Sequence, residues 1–270
     1  MQPTRQIQAT VVLACVGVAA MLRIRPEQME ALEQAAVRRF ETETARHLST
    51  FAPEHSEILG EEGVRKVVGL GIERARRYGF TNRGPARFYV EMMFLFGSDF
   101  DTDPQLPWAA QILADAGAHD QMARADRLWR RTTDFLERVA GPDHEFTRDA
   151  LRRARQQSWE GQPVLHPNLE QEVLRGLEAL HPQRFHCVGG SALRALIERG
   201  AELAKPYAAA RAAALPLFTG LMFLLGHGVA TDPQFPWVEA ALSDEGRRPP
   251  AERLQRLHAA WMAYLDRVLA

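Results

Sequence analysis

The stretch MFLFGSDFDTDPQLPW, residues 93 to 108, returns 129 positions later as MFLLGHGVATDPQFPW, residues 222 to 237, with ten of the sixteen positions identical. The match extends outward at the same spacing. Upstream, Arg65, Gly71, Glu73, Ala75 and Tyr78 fall on Arg194, Gly200, Glu202, Ala204 and Tyr207. Downstream, Leu113, Arg124, Arg127, Leu128, Leu136 and Val139 fall on Leu242, Arg253, Arg256, Leu257, Leu265 and Val268. No gap is needed from about residue 48 to 139. A period this long lies beyond the roughly 20 to 50 residues of stacked solenoid repeats, so two copies of a small domain are expected rather than an array.

Each copy reads as helical. In RKVVGLGIERARRYG the apolar residues Val67, Val68, Gly71, Ile72 and Ala75 share one stripe of a 3.6-residue period. PARFYVEMMFLFG and its counterpart ALPLFTGLMFLLG are apolar nearly all round, which predicts the buried central helix of each copy, ended by Gly97 and Gly226. ARADRLWRRTTDFLERV and AERLQRLHAAWMAYLDRV are amphipathic last helices. The first helix of copy one spans about 26 to 51. In copy two it is interrupted by GQPVLHP, residues 161 to 167, and an extra helix near 144 to 158 bridges the copies. No run alternates with period two. The sequence therefore predicts an all-α protein of two tandem pseudo-repeats of about five helices each, over 21–140 and 141–270.

Within the repeated string, the preserved residues all have packing or capping roles. Asp103 and Asp232 suit helix N-caps, with Pro104 and Pro233 in the first helical position. Trp108 and Trp237 are expected to plug the corner as buried equivalents. The chemically suggestive residues differ between copies: Asp99 becomes Gly228, Phe100 becomes Val229 and Asp101 becomes Ala230.

Composition narrows function mainly by exclusion. With 33 Lys and Arg against 34 Asp and Glu, the net charge of −1 gives no global field for nucleic acid or anionic lipid. Two cysteines, Cys15 and Cys187, exclude a disulfide framework and a thiolate zinc site of four ligands, and suit a reducing, cytoplasmic compartment. Residues 1–20 stand apart. QATVVLACVGVAAML, residues 8 to 22, is too short to span a bilayer. It suits either a start at Met21 or an export or lipid-anchoring signal ending at Cys15.

The candidate chemical groupings are weak. Asp99, Asp101 and Asp103 resemble the start of a calcium loop, but Pro104 and Ala110 stand where that loop requires Gly and Glu. His181, His186 and Cys187 lie close together, and solvated histidines are the simpler reading. No nucleophile, metalloprotease, phosphate-loop or dinucleotide motif is present, so no cofactor, metal or catalytic residue is assigned. The five arginines of RARRYGFTNRGPAR, with Tyr78 and Phe80, have the composition of a nucleic-acid patch, but copy two has nearly emptied it.

The pattern F…HL…P…G…GIERARRYG…R(F/Y)V…MFLFGSDFD…PW…IL resembles a family of small helical bacterial proteins associated with gene clusters of type VI secretion effectors and their spike-tip proteins. Residues 21 to 139 carry the resemblance. Copy two keeps only its hydrophobic skeleton, with Ala208 in place of the glycine and Val229-Ala230 in place of the Phe-Asp pair. The resemblance implies an accessory role as adaptor, chaperone or immunity protein for a secreted toxin. The expected function is thus binding of a protein partner such as a toxin effector, and not of nucleic acid. Tyr78, Phe80, Asp99, Phe100 and Asp101 are the expected contact residues, read as exposed aromatic and charged groups at copy-one corners. The alternative is an enzyme or small-ligand binder with its site in the cleft between the copies.

Overall fold

The computed structural model describes residues 25–115, 120–157, 168–243 and 248–270. The N-terminal segment 1–20 and the interruption at 161–167 lie outside them. The described residues form twelve α-helices and no strand: α1 (Pro26–Phe51), α2 (Pro53–Arg77), α3 (Arg83–Phe96), α4 (Pro107–Leu113), α5 (Gln121–Val139), α6 (Glu145–Gln156), α7 (Leu169–Leu180), α8 (Pro182–Val188), α9 (Gly190–Ala204), α10 (Arg211–Leu225), α11 (Pro236–Leu242) and α12 (Pro250–Val268). The protein is all-α. No helix among the described residues is long and apolar enough to cross a membrane.

Helix ends recur at the 129-residue spacing. α4 and α11 begin at Pro107 and Pro236, and α5 and α12 end at Val139 and Val268. The backbone irregularities recur with them. α1 meets α2 at Ala52 (φ −138°, ψ 72°), and α7 meets α8 at His181 (φ −147°, ψ 81°). Gly60 kinks α2 with φ 74° and ψ 164°, where Gly189, with φ 85° and ψ 159°, separates α8 from α9. Both lie in a region essentially reserved for glycine. The helix reading of residues 26–51 matches α1, and the bridging helix is α6.

α3 packs on α2, and α10 on α9, as central helices. The first core gathers Phe80, Tyr89, Met92, Phe96, Phe100, Leu106 and Leu128. The second gathers Leu196, Phe218, Met222, Phe223, Leu257 and Trp261. Burying each such large side chain contributes about 1.5 to 3 kcal/mol. The halves also interlock: α5 packs on α8, and α12 packs on α2. Ile58 of α2 packs against the second core, and Val188 touches both.

Two sequence expectations need correction here. Asp103 and Asp232 are not N-caps. The caps of α4 and α11 are Leu106 and Phe235, and the first helical residues are Pro107 and Pro236 rather than Pro104 and Pro233. Trp108 and Trp237 occupy equivalent places but are half-buried. Each leans on aromatic neighbours, Trp108 on Phe96 and Phe135, and Trp237 on Trp261 and Tyr264.

Candidate functional site

The repeated string closes on itself across the molecule. Asp103 accepts a hydrogen bond from the Gln105 backbone N–H on Oδ1 at 2.8 Å, so that TDPQ forms an Asx-type turn. Its Oδ2 reaches over to the second half and accepts from the His227 backbone N–H at 2.9 Å. Asp232 repeats the arrangement in the opposite sense. Oδ1 accepts from Gln234 N–H at 2.9 Å, while Oδ2 and Oδ1 accept from Ser98 N–H and its hydroxyl at 2.7 and 2.6 Å. The two glutamines cross as well. Gln105 donates to the Met222 carbonyl at 3.1 Å, and Gln234 to the Met93 carbonyl at 2.8 Å. Each half thus bonds to the end of the other half's central helix: its Gln adds a second donor to a carbonyl that already accepts from the capping glycine, and its Asp takes the first N–H beyond that glycine.

Between these arms the backbones touch. A Cβ on Gly97 would stand 2.6 Å from the Leu225 carbonyl oxygen, and one on Gly226 would stand 2.4 Å from that of Phe96. The next residues explain the asymmetry of the copies. A Cβ on Gly228 would stand 1.9 Å from Asp99 Oδ2. The two loops abut, and a side chain at residue 228 would displace the Asp99 carboxylate from its place beside Arg74, which suits glycine there in copy two.

Further buried groups extend the network. Arg184 Nε donates to Gln105 Oε1 at 3.2 Å, with its guanidinium over the Phe223 ring at 5.6 Å. At the equivalent place His55 Nε2 meets Gln234 Oε1 at 3.3 Å and its ring lies edge-on to Phe94. Burial pushes Arg184 down to about 10, against the pull of Asp103. The two carboxyls diverge. Burial raises Asp103, yet contact with His227 and the backbone N–H groups of Gln105 and His227 hold it below its ordinary value. For Asp232 burial wins over the bonds from Ser98 and Gln234, and nearby Asp99 adds to the rise. His227 Nδ1 lies 3.5 Å from Asp103 Oδ2, too long for a strong hydrogen bond.

The residues expected to bind a partner lie beside this seam, and the structure corrects the exposure expected of the two phenylalanines while leaving Tyr78, Asp99 and Asp101 half-buried. Phe80 and Phe100 are fully buried, each 0 % exposed, and belong to the first core. Each follows a glycine of positive φ, Gly79 or Gly97, where the chain turns and carries the aromatic into the core. Asp99 pairs with Arg74 at 2.7 Å. Asp101 Oδ2 accepts from both Tyr78 Oη at 2.9 Å and Tyr89 Oη at 2.8 Å. Burial, reinforced by Asp101, pushes the Tyr78 hydroxyl up to about 12, and the more buried Tyr89 further in the same direction. These residues form an internal support for the loop. The arginine-rich face is similarly engaged: Arg77 meets Glu73, Arg83 meets Glu43, and Arg87 meets Glu91. His181, read as solvated, is buried and accepts from the Arg184 backbone N–H at 3.3 Å.

The seam network is fully enclosed. Ser98, Asp103, Gln105, Asp232 and Gln234 are each at most 5 % exposed, which suits holding two halves in register. Sequence reasoning missed the roles of Gln105, Gln234, Ser98 and His55. The one signal is that Gln105 persists as Gln234; Ser98 and His55 become His227 and Arg184 in the other copy and carry none.

The outer surface differs in kind. Leu32 is 57 % exposed, Trp129 55 % and Met122 53 %. Met122, Trp129 and Leu136 recur every seven residues along one stripe of α5. An open cleft of 440 Å³ lies between α1 and α2, lined by Thr42, Ala45, Arg46, Ser56, Glu57 and Val64 among others. Comparison with protein-family models, curated proteins and solved structures gives no match.

Proposed function

We propose that this protein is a non-enzymatic, protein-binding accessory of a bacterial toxin secretion system, acting as adaptor, chaperone or immunity protein. The reading rests above all on where its side chains go. Asp103, Asp232, Gln105 and Gln234 of the repeated string close inside the molecule on backbone and side-chain groups of the other half. Several large apolar side chains are nevertheless left to solvent, with Leu32, Trp129 and Met122 foremost. Aromatic side chains of this kind carry much of the energy of protein interfaces. The secretion-system assignment comes from the resemblance of residues 21 to 139. The alternative of a small-molecule site between the halves finds no support at the seam, where the Gly97 and Gly226 backbones touch.

The test is capture from a lysate of the source bacterium, comparing the unaltered protein with a Leu32→Glu, Trp129→Glu double variant. The expected result is retention of a toxin-like protein by the first and its loss from the second. Coexpression with that toxin then separates the roles. An immunity protein abolishes toxicity, whereas a chaperone or adaptor raises the yield or delivery of active toxin. Equal retention by both proteins, or none by either, contradicts the reading.

A further inference from the structure

The two halves differ in how they cover the outer side of their first and last helices. In the second half, α6 packs against both α7 and α12. Its Ala150 and Ala154, four residues apart, are 0 % and 1 % exposed, and Leu151 packs against the same core. Arg155 Nε meets Asp266 Oδ1 on α12 at 2.6 Å, and Arg153 donates to the Leu180 carbonyl at 3.3 Å. On those two helices Leu180 and Leu265 are 2 % and 0 % exposed.

The residues 129 positions earlier are Phe51 for Leu180, Leu136 for Leu265 and Glu137 for Asp266. Their surroundings are open. Phe51 is 40 % exposed, Leu136 is half-buried and Glu137 is exposed. Further back along the α5 stripe stands Trp129, where α12 carries the half-buried His258. Among the described residues, the first half thus presents the apolar contacts and the carboxylate of a helix seat without a helix in the place that α6 takes in the second.

We propose that Phe51, Leu136, Glu137 and Trp129 form a docking seat for an amphipathic helix of a partner protein, one with small apolar residues four apart and an arginine facing Glu137. This deepens the protein-binding reading and rests on it. The chemistry of the occupant is taken from α6, which fills the matching place by small-residue contact and an arginine–carboxylate pair. The mode is that of a helix in a groove, with anchors on one helical face.

The probe is a fluorescently labelled, side-chain-stapled peptide with the α6 sequence EFTRDALRRARQ, titrated against the full chain by anisotropy. Stapling removes the marginal helicity of an isolated 12-residue peptide. Saturable binding is expected, weakened at least about tenfold by Phe51→Asp or by Glu137→Arg. A peptide carrying Glu in place of the arginine equivalent to Arg155 should recover affinity for the Glu137→Arg protein. Asp266→Arg should leave binding unchanged. Circular dichroism checks that each variant is folded. The proposal falls if the stapled peptide does not bind, if Glu137→Arg has no effect, or if only Asp266→Arg has one, since the peptide is then displacing α6. It also falls if sedimentation shows a dimer broken by Glu137→Arg, since the occupant is then a second copy. Capture of a lysate partner that survives Glu137→Arg removes this seat but leaves the protein-binding reading intact.

Discussion

Gly97, at φ 94° and ψ 155°, and Gly226, at φ 103° and ψ 149°, meet backbone to backbone in a conformation nearly closed to other residues. Gly97→Ala combines that strain with a 2.6 Å approach to a carbonyl oxygen that cannot move aside. The expected loss is about 3 kcal/mol or more, read from the denaturant midpoint at unchanged slope. The carboxyls beside them respond to pH in opposite senses. Asp103 is held below its ordinary 3.8 in the fold, so the unfolded chain binds the proton first as pH falls. Its stabilisation is complete above that value and lost as pH falls through the folded one. Asp232 is raised above 3.8, so its stabilisation is complete below 3.8 and lost as pH rises through the folded value. Acid titration of stability should therefore show a flatter acid limb for Asp103→Asn and a steeper one for Asp232→Asn. Matching limbs for the two variants contradict the assignment. His181 adds a separate slope. Burial and Arg184 depress it from 6.5 to about 4, so its contribution is complete above 6.5 and declines as pH falls between those values. His181→Phe should remove that slope from the stability curve.

At the scale of elements, much was legible. The 3.6-residue periodicity of α2 and α5, the proline that opens α1 and the glycines that end α3 and α10 are local signals carried by neighbouring residues. The partners of Asp103 and Asp232 were not legible, because Ser98 and Asp232 lie 134 residues apart and nothing local encodes the pairing. The nearest local signal, Asp followed by Pro, favours an N-cap, and the Asx-type turn uses the same residues. The corner aromatics misled for a related reason: a loop flanked by glycine and charge reads as exposed, yet its one aromatic turns inward. Phe80 shows the consequence. It fills the corner between α2 and α3 beneath the Arg124 guanidinium, 5.2 Å from its ring. Phe80→Ala should cost about 3 to 5 kcal/mol by thermal unfolding, as deletions of buried aromatics do. A thermally silent Phe80→Ala would return the residue to the surface role read from the sequence.

Across the whole molecule, the string written twice is one structure. Each copy supplies the turn that ends one central helix and the carboxylate and amide that bond to the end of the other. The preserved residues hold the halves together, and the residues that differ let two loops share one seam. Its Asp and Gln residues thereby serve the scaffold. This places Asp232 in partnership with Ser98 across the seam, rather than capping its own α11. A double-mutant cycle on Ser98→Ala and Asp232→Ala, by denaturant unfolding, measures that partnership directly. The expected coupling is about 1 to 3 kcal/mol, the range for residues sharing a buried hydrogen-bond network. Additivity within roughly 0.5 kcal/mol is what a local capping role would give, and it would contradict the reciprocal seam.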